Sequence, residues 1–177
     1  KCLQYCPVNT DEKCEQITDE DSKITAYGAW SNNDDIRLNS SSGGIFAELA
    51  IAIFQEGGVV FGAGWKNQVL QHMVVDRIDD LKNLQGSKYI PSYIGESYIK
   101  VREYLESGRK VLFVGTPCQI SAVKGIAKHK NLITADLICH GVPSLLAFKK
   151  YVFSKIGNKE IKTITFRDKE YGWENFS

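Results

Sequence analysis

Lys110-Val111-Leu112-Phe113-Val114-Gly115-Thr116-Pro117-Cys118-Gln119 is the stretch whose reading decides the fold. Val111 to Val114 are consecutive apolar residues, the pattern of a strand buried on both faces, as in parallel sheets. Gly115 breaks the run. Thr116 suits a helix N-cap, and Pro117 suits the first helical position, where its fixed φ fits and its missing N–H is not needed. Cys118 then falls in the first helical turn, where unpaired N–H groups and the helix dipole favour a thiolate. Two readings stay open for it. It is a metal ligand or reactive thiol, or it is a small buried cysteine filling space under a helix.

Downstream the pattern repeats. The helix after Cys118 carries Ile120, Val123, Ile126 and Ala127 toward the sheet. Asn131 to Cys139 reads as a second buried strand, ending in Cys139-His140-Gly141-Val142-Pro143-Ser144. Two strand–turn–helix units thus each place a cysteine at or just past the C-terminal end of a strand, beside the crevice where open α/β sheets carry their sites. His140 could hydrogen-bond or protonate a bound ring, or only order its turn. With Cys118 as nucleophile and His140 as base, the pair would instead make a thiol enzyme. Ser144 caps a further helix, with Leu145, Phe148, Tyr151, Val152 and Ile156 on one side, and Ile161 to Phe166 reads as the last strand. His129 sits in a Lys-His-Lys loop and reads as solvated.

Upstream, Ser40-Ser41-Ser42-Gly43-Gly44 opens a helix in which Ile45, Phe46, Leu49, Ala50, Ile53 and Phe54 recur at helical spacing, stopped by Gly57-Gly58. A Ser/Gly loop entering a helix can cradle a phosphate, or Ser42 simply caps the helix and the glycines form a turn. Val59 to Gly64 and Val69 to Val75 read as a hairpin turning at Trp65-Lys66-Asn67, with His72 a half-exposed strand residue. Ile78 to Leu84 reads as a short helix. Lys88, in the loop Gly86-Ser87-Lys88-Tyr89, could reach a phosphate or an electron-rich ring, or is solvated. Tyr98, Ile99, Val101, Arg102 and Leu105 mark a helix ended by Gly108.

The chain has 177 residues, enough for one domain with appendages. Its 22 basic and 21 acidic residues leave a net charge of +1 without a basic run, which argues against a nucleic-acid surface. The longest apolar stretch, Ile45 to Phe54, holds Glu48 and is too short to span a bilayer. Five unevenly spread cysteines do not look like a disulfide framework, and predict a reducing, cytoplasmic setting with metal-binding or redox thiols. At the start, Cys2, Cys6 and Pro7 match the last half of the bacterial ferredoxin run C-x2-C-x2-C-x3-C-P. They are ligands of an iron–sulfur cluster or free thiols of a frayed end, and Cys14 reads as a free thiol. Residues 15–39 are polar and read as a linker, with a short strand at Tyr27 to Trp30. The chain opens on Lys rather than Met and closes among turn and aromatic residues, so it reads as part of a longer polypeptide.

In order, these motifs resemble the coenzyme F420 hydrogenase/dehydrogenase beta-subunit family. The resemblance is carried by Ser41-Ser42-Gly43-Gly44-Ile45-Phe46, Gly86-Ser87-Lys88-Tyr89 and Gly115-Thr116-Pro117-Cys118-Gln119. It continues through Asp136-Leu137-Ile138-Cys139-His140-Gly141-Val142-Pro143-Ser144, Phe166-Arg167-Asp168-Lys169 and Gly172-Trp173. Pro91 departs from it, standing where a polar residue is expected. The resemblance implies an α/β fold, an open and mostly parallel sheet flanked by helices, with the remnant of a ferredoxin-like module at residues 1–14. Residues 40–177 would be the flavin-binding domain, lacking its C-terminal portion. It implies FAD and [4Fe–4S] clusters as cofactors, and electron relay between them and a hydride-accepting substrate, coenzyme F420 or another small organic acceptor. Other redox subunits or a ferredoxin would be partners, and the oligomeric state stays open. Carried over by position, Ser41, Ser42, Gly43 and Gly44 would hold the FAD phosphates, and Lys88, Thr116, Pro117, Gln119 and Gly141 would be further cofactor-site residues. Cys2, Cys6, Cys118 and Cys139 would be cluster ligands and His140 the catalytic residue. A module that keeps the fold for binding or assembly alone is the remaining alternative.

Overall fold

A computed structural model describes residues 25–161 and 163–167. Cys2, Cys6, Cys14 and the ferredoxin-like stretch 1–14 lie outside the described residues, as do Asp168, Lys169, Gly172 and Trp173. The elements run α1 (Asp34–Leu38), α2 (Ile45–Gln55), β1 (Val59–Lys66), β2 (Val69–Val75) and a 3-10 helix (Ile78–Asn83). They continue with α3 (Ser97–Glu106), β3 (Val111–Gly115), α4 (Pro117–Ile126), β4 (Leu132–Asp136) and α5 (Leu145–Ile156). The strands form one sheet in the order β2-β1-β3-β4. β1 pairs antiparallel with β2, while β3 runs parallel to both β1 and β4. The fold is α/β, with an open, mostly parallel sheet flanked by helices.

β3 sits between two parallel neighbours and all five of its residues are buried. Its alternation divides two cores. Leu112 and Val114 join Val60 of β1 and Ala47, Ala50 and Ile53 of α2 on one face. Val111 and Phe113 join Val59 and Phe61 of β1, Val101 and Leu105 of α3, and Ile120 and Val123 of α4 on the other. Helices therefore cover both faces, as an apolar strand without a polar side requires.

Several sequence expectations give way here. No strand forms at Tyr27 to Trp30, where both aromatic rings are exposed. Residues 31–39, read as linker, carry α1, whose start is capped by Asn33 Oδ1 accepting the Asp35 and Ile36 N–H groups. Ser31 ties this stretch to α2, donating its N–H to the Gly43 carbonyl at 2.6 Å and bonding through its hydroxyl to Glu48. α2 turns its small residues Ala47 and Ala50 to the sheet, leaving Ile45 and Leu49 exposed, because close approach to the strands favours the smallest side chains. In α4, Ile126 likewise stays exposed. The hairpin turns at Asn67-Gln68, both at positive φ, so β1 keeps Trp65 and Lys66. Two left-handed residues give the backbone twist that fits a two-residue hairpin. β4 ends at Asp136 and is only half-buried, being paired with β3 alone. No strand forms among residues 161 and 163–167, where Phe166 packs instead on Phe148 and Tyr89. No helix among the described residues is long and apolar enough to cross a membrane.

His72 is also not half-exposed. It is 6% exposed, stacked on Phe113 at 5.2 Å between ring centres, with Nε2 bonded to the Val114 carbonyl at 3.1 Å. Burial holds its pKa below the ordinary 6.5, although the Val114 bond pulls the other way. As pH falls through 6.5 the imidazole protonates in the unfolded chain and resists in the fold. The unfolded state then binds more protons, so stability falls with pH in that range. Urea midpoints between about pH 7.5 and 5 are expected to show this decline, and His72→Asn to remove the share due to the imidazole. Phe61→Ala, which empties a fully buried site against Phe113 and Tyr104, is expected to cost about 3–5 kcal/mol in the same assay.

Candidate functional site

The two cysteines meet the sheet at one rim. The β3–β4 register pairs Gly115 with Asp136, and each of these stands three residues before a cysteine, Cys118 and Cys139. The Leu137 N–H donates to the Gly115 carbonyl at 2.8 Å, so the segment leading to Cys139 departs directly from the turn that carries Cys118. Both thiols are exposed, so Cys118 is not buried under the helix. Its partner is the Thr116 hydroxyl, 3.2 Å from Sγ. The Cys139 sulfur accepts the Gly141 N–H at 3.4 Å, with Gly141 at φ +105°. His140 is exposed and no hydrogen bond joins it to Cys118.

The turn itself is held from behind. Gln119 folds back so that its Oε1 accepts the Thr116 N–H at 3.0 Å, the returning half of a capping box. A Cβ at Gly115 would lie 2.8 Å from that oxygen, so a larger residue there would push the Gln119 side chain out of this position. Gln119 Nε2 donates to Ser92 Oγ at 3.1 Å, and Ser92 Oγ lies 2.9 Å from His72 Nδ1. Tyr98 donates to the Gln119 carbonyl. The sequence does not single out His72 or Ser92 as site residues. A histidine alone in an alternating strand carries no local signal, and Ser92 becomes its neighbour only because residues 92–93 lie along β2, with Tyr93 N–H donating to the Leu70 carbonyl.

The second cluster lies by the end of β1. The Ser87 hydroxyl donates to Ser41 Oγ at 2.8 Å, joining two loops far apart in the chain. Ser42 is exposed and does not cap α2; the N-cap is Gly44, at φ +87°. A Cβ at Gly43 would lie 2.7 Å from the Ala29 carbonyl, and one at Gly44 3.1 Å from Ile36. Residues 29–36 thus pack closely over the helix start at both glycines, and Glu48 places a carboxylate in the first turn. A cavity alongside also has a lining that suits an anion. It measures about 300 Å³, and Lys82, Lys88, Ser87, Arg167, Trp65 and Phe166 line it. Lys88 is not solvated: Nζ donates to the Leu84 and Gln85 carbonyls at 2.8 and 2.7 Å, and burial lowers its pKa to about 8. Cations beside two aromatic rings can hold a negatively charged group next to a planar one. A separate apolar cleft of about 520 Å³ opens between α5 and the edge of β2.

A [4Fe–4S] cluster takes four thiolates. The described residues offer Cys118 and Cys139, and no group of three or more His, Cys, Asp or Glu side chains converges among them, so they do not complete a cluster site.

Comparison with known proteins matches this chain to two family models. The model for the N-terminal part of the coenzyme F420 hydrogenase/dehydrogenase beta subunit matches residues 26–97, and the model for its C terminus matches residues 108–177. Among solved structures, the chain resembles one from the xenon-derivatised F420-reducing [NiFe] hydrogenase complex of Methanosarcina barkeri, with a TM-score of 0.60 and 20% identity. The alignment covers 77% of this chain and 52% of that one, so this chain spans about half the length of the protein it matches. At that identity the likeness is one of fold. No curated protein matches the sequence. The two family models meet within one sheet, β1 and β2 from the first and β3 and β4 from the second, and the chain belongs to the coenzyme F420 hydrogenase/dehydrogenase beta-subunit family, whose members are oxidoreductase subunits.

Proposed function

We propose that this chain forms the flavin-binding part of an oxidoreductase subunit that relays electrons between iron–sulfur carriers, FAD and a hydride-accepting substrate. That substrate is coenzyme F420, as the family name has it, or another small organic acceptor. The electrons come from, or go to, other redox subunits or a ferredoxin. Bound FAD would supply the exchange between one-electron and two-electron carriers.

The observation that carries this reading is the Ser87–Ser41 bond beside the cation-lined cavity. It brings two family motifs together at the end of β1, near where open α/β sheets bind nucleotides. Lys82, Lys88 and Arg167 would bind the phosphates, and Trp65 and Phe166 would hold a ring. Gly43 and Gly44 would act by letting residues 29–36 cover the helix start. Thr116, Pro117, Gln119 and Gly141 would shape the rim between the cavity and the cysteines, and His140 would protonate or hydrogen-bond the substrate from that rim. Cys118 and Cys139 would be thiolate ligands to iron, the remaining ligands, Cys2 and Cys6 among them, lying outside the described residues. Residues 1–14 would then be the ferredoxin-like end and residues 40–177 the flavin domain. The thiol-enzyme alternative gains nothing from the geometry, since the Cys118 sulfur is bonded to Thr116.

FAD titrated into the full chain, purified without oxygen, is expected to lose its fluorescence on binding. Lys88→Met is expected to weaken binding at least about tenfold, the size of one charge-assisted contact. Affinity should also fall as pH rises through about 8, where the unliganded Lys88 loses its proton. Wild-type protein that leaves the flavin signal unchanged, or a Lys88→Met variant of unaltered affinity, would overturn the assignment.

A further inference from the structure

We propose that His72, Ser92 and Gln119 are positioning residues: together they set the Gly115–Gln119 turn, and through it the direction in which the Cys118 thiol is presented. That Cys118 ligates iron rests on the reading above; that it is positioned this way does not.

The hydrogen-bond directions follow from chemistry alone. The Val114 carbonyl can only accept, so His72 Nε2 carries the proton and donates to it. Nδ1 of the neutral ring is then an acceptor, and the Ser92 hydroxyl donates to it. The Ser92 oxygen in turn accepts from Gln119 Nε2. The Gln119 amide oxygen, at the other end of that side chain, accepts the Thr116 N–H. Every member is satisfied, and no buried side-chain nitrogen or oxygen is left unpaired among the described residues.

The chain of bonds closes on the turn from both sides. It begins at the carbonyl of Val114 and ends at the N–H of Thr116, the two residues flanking Gly115. Its anchors come from β2, from the 90–96 connection and from α4, so three separate segments converge on one peptide corner. The His72 ring cannot swing away, because it stacks on Phe113 and its own backbone is tied to Tyr93 and Ser97. Thr116, held by its N–H, keeps its hydroxyl 3.2 Å from Cys118 Sγ. Such a connected, part-buried network fixes one arrangement where a set of isolated contacts would allow several.

Ser92 is the link to cut, since Ser92→Ala strands both His72 Nδ1 and Gln119 Nε2 while Ser92→Thr keeps the hydroxyl. Gln119→Leu cuts the next link without touching the histidine. The assay is peptide-resolved alkylation by iodoacetamide in the full chain, without iron or flavin, with Cys139 as internal reference, alongside amide exchange at Thr116. Both cutting variants are expected to slow Cys118 alkylation about three- to tenfold, because the loosened turn no longer holds the thiol in one outward direction beside the Thr116 hydroxyl. Thr116 exchange should speed up about tenfold. Cys139 should not change, and Ser92→Thr should return both signals toward wild type. If Ser92→Ala does not fold, Gln119→Leu and Ser92→Thr still decide the matter. Unchanged Cys118 and Thr116 signals in Gln119→Leu, or equal changes at Cys139, would overturn the proposal. A failure of the flavin reading would appear as absent FAD binding in the wild type and would leave these rates unmoved.

Discussion

A strand with no polar face has nowhere to carry chemistry except its ends. β3 is buried along its whole length, with one core on each face, and the side chains that fill those cores stabilise by roughly 1.5–3 kcal/mol each when fully withdrawn from water. That burial demands a helix layer on either side and a parallel neighbour on either edge. Once those are in place, solvent or a ligand reaches this end only just beyond β3, at the corner where Thr116, Pro117 and Cys118 start α4. The position of Cys118 is thus a consequence of what Val111 to Val114 must avoid.

The same corner raises a problem that a strand interior does not have. A chain leaving a sheet for a helix exposes backbone groups that neither ladder nor helix satisfies. Here each is met by a different element. The Val114 carbonyl takes the His72 ring, the Gly115 carbonyl takes the Leu137 N–H, and the Thr116 N–H is taken by Gln119. Because the three partners come from β2, the exit of β4 and α4, the corner is rigid only when the whole sheet is assembled. The Val114 carbonyl gives the buried His72 its partner, a role that composition and periodicity do not reveal.

The fold is readable in the residues where one face or both must be apolar. The run Val111 to Val114, the glycine stops and the Thr116-Pro117 start each have a local cause, so strand, turn and helix are legible there. What the sequence hides depends on distant neighbours. Ile161, Thr163 and Ile164 look like a strand by residue type, but no strand pairs with them among the described residues, and they line the apolar cleft beside α5 instead. α2 is legible but its facing is not, because Ala47 turns to the sheet for its smallness, which a hydrophobic stripe does not weigh. The glycines at 43 and 44 look like a cradle in the sequence, and the sequence does not show that they also admit the approach of residues 29–36. For Lys88 the sequence leaves a solvated reading open, because its two acceptors are backbone carbonyls, which no side-chain pattern reveals.

Lys88 also shows how binding and protonation would be linked. An ammonium is held over two carbonyls in a half-buried loop with no carboxylate partner among the described ion pairs, and desolvation brings its pKa down to about 8. An anion arriving in the adjoining cavity would favour the charged form and move that value back up. By linkage, a ligand that raises a pKa binds better to the protonated protein and draws a proton in as it binds. Near pH 8 the lysine is half neutral beforehand, so proton uptake would accompany anion binding most strongly there. An arginine at this position would hold its charge throughout and lack that coupling. The loop's shielding of Lys88 would therefore make its charge responsive to an anion entering the adjoining cavity.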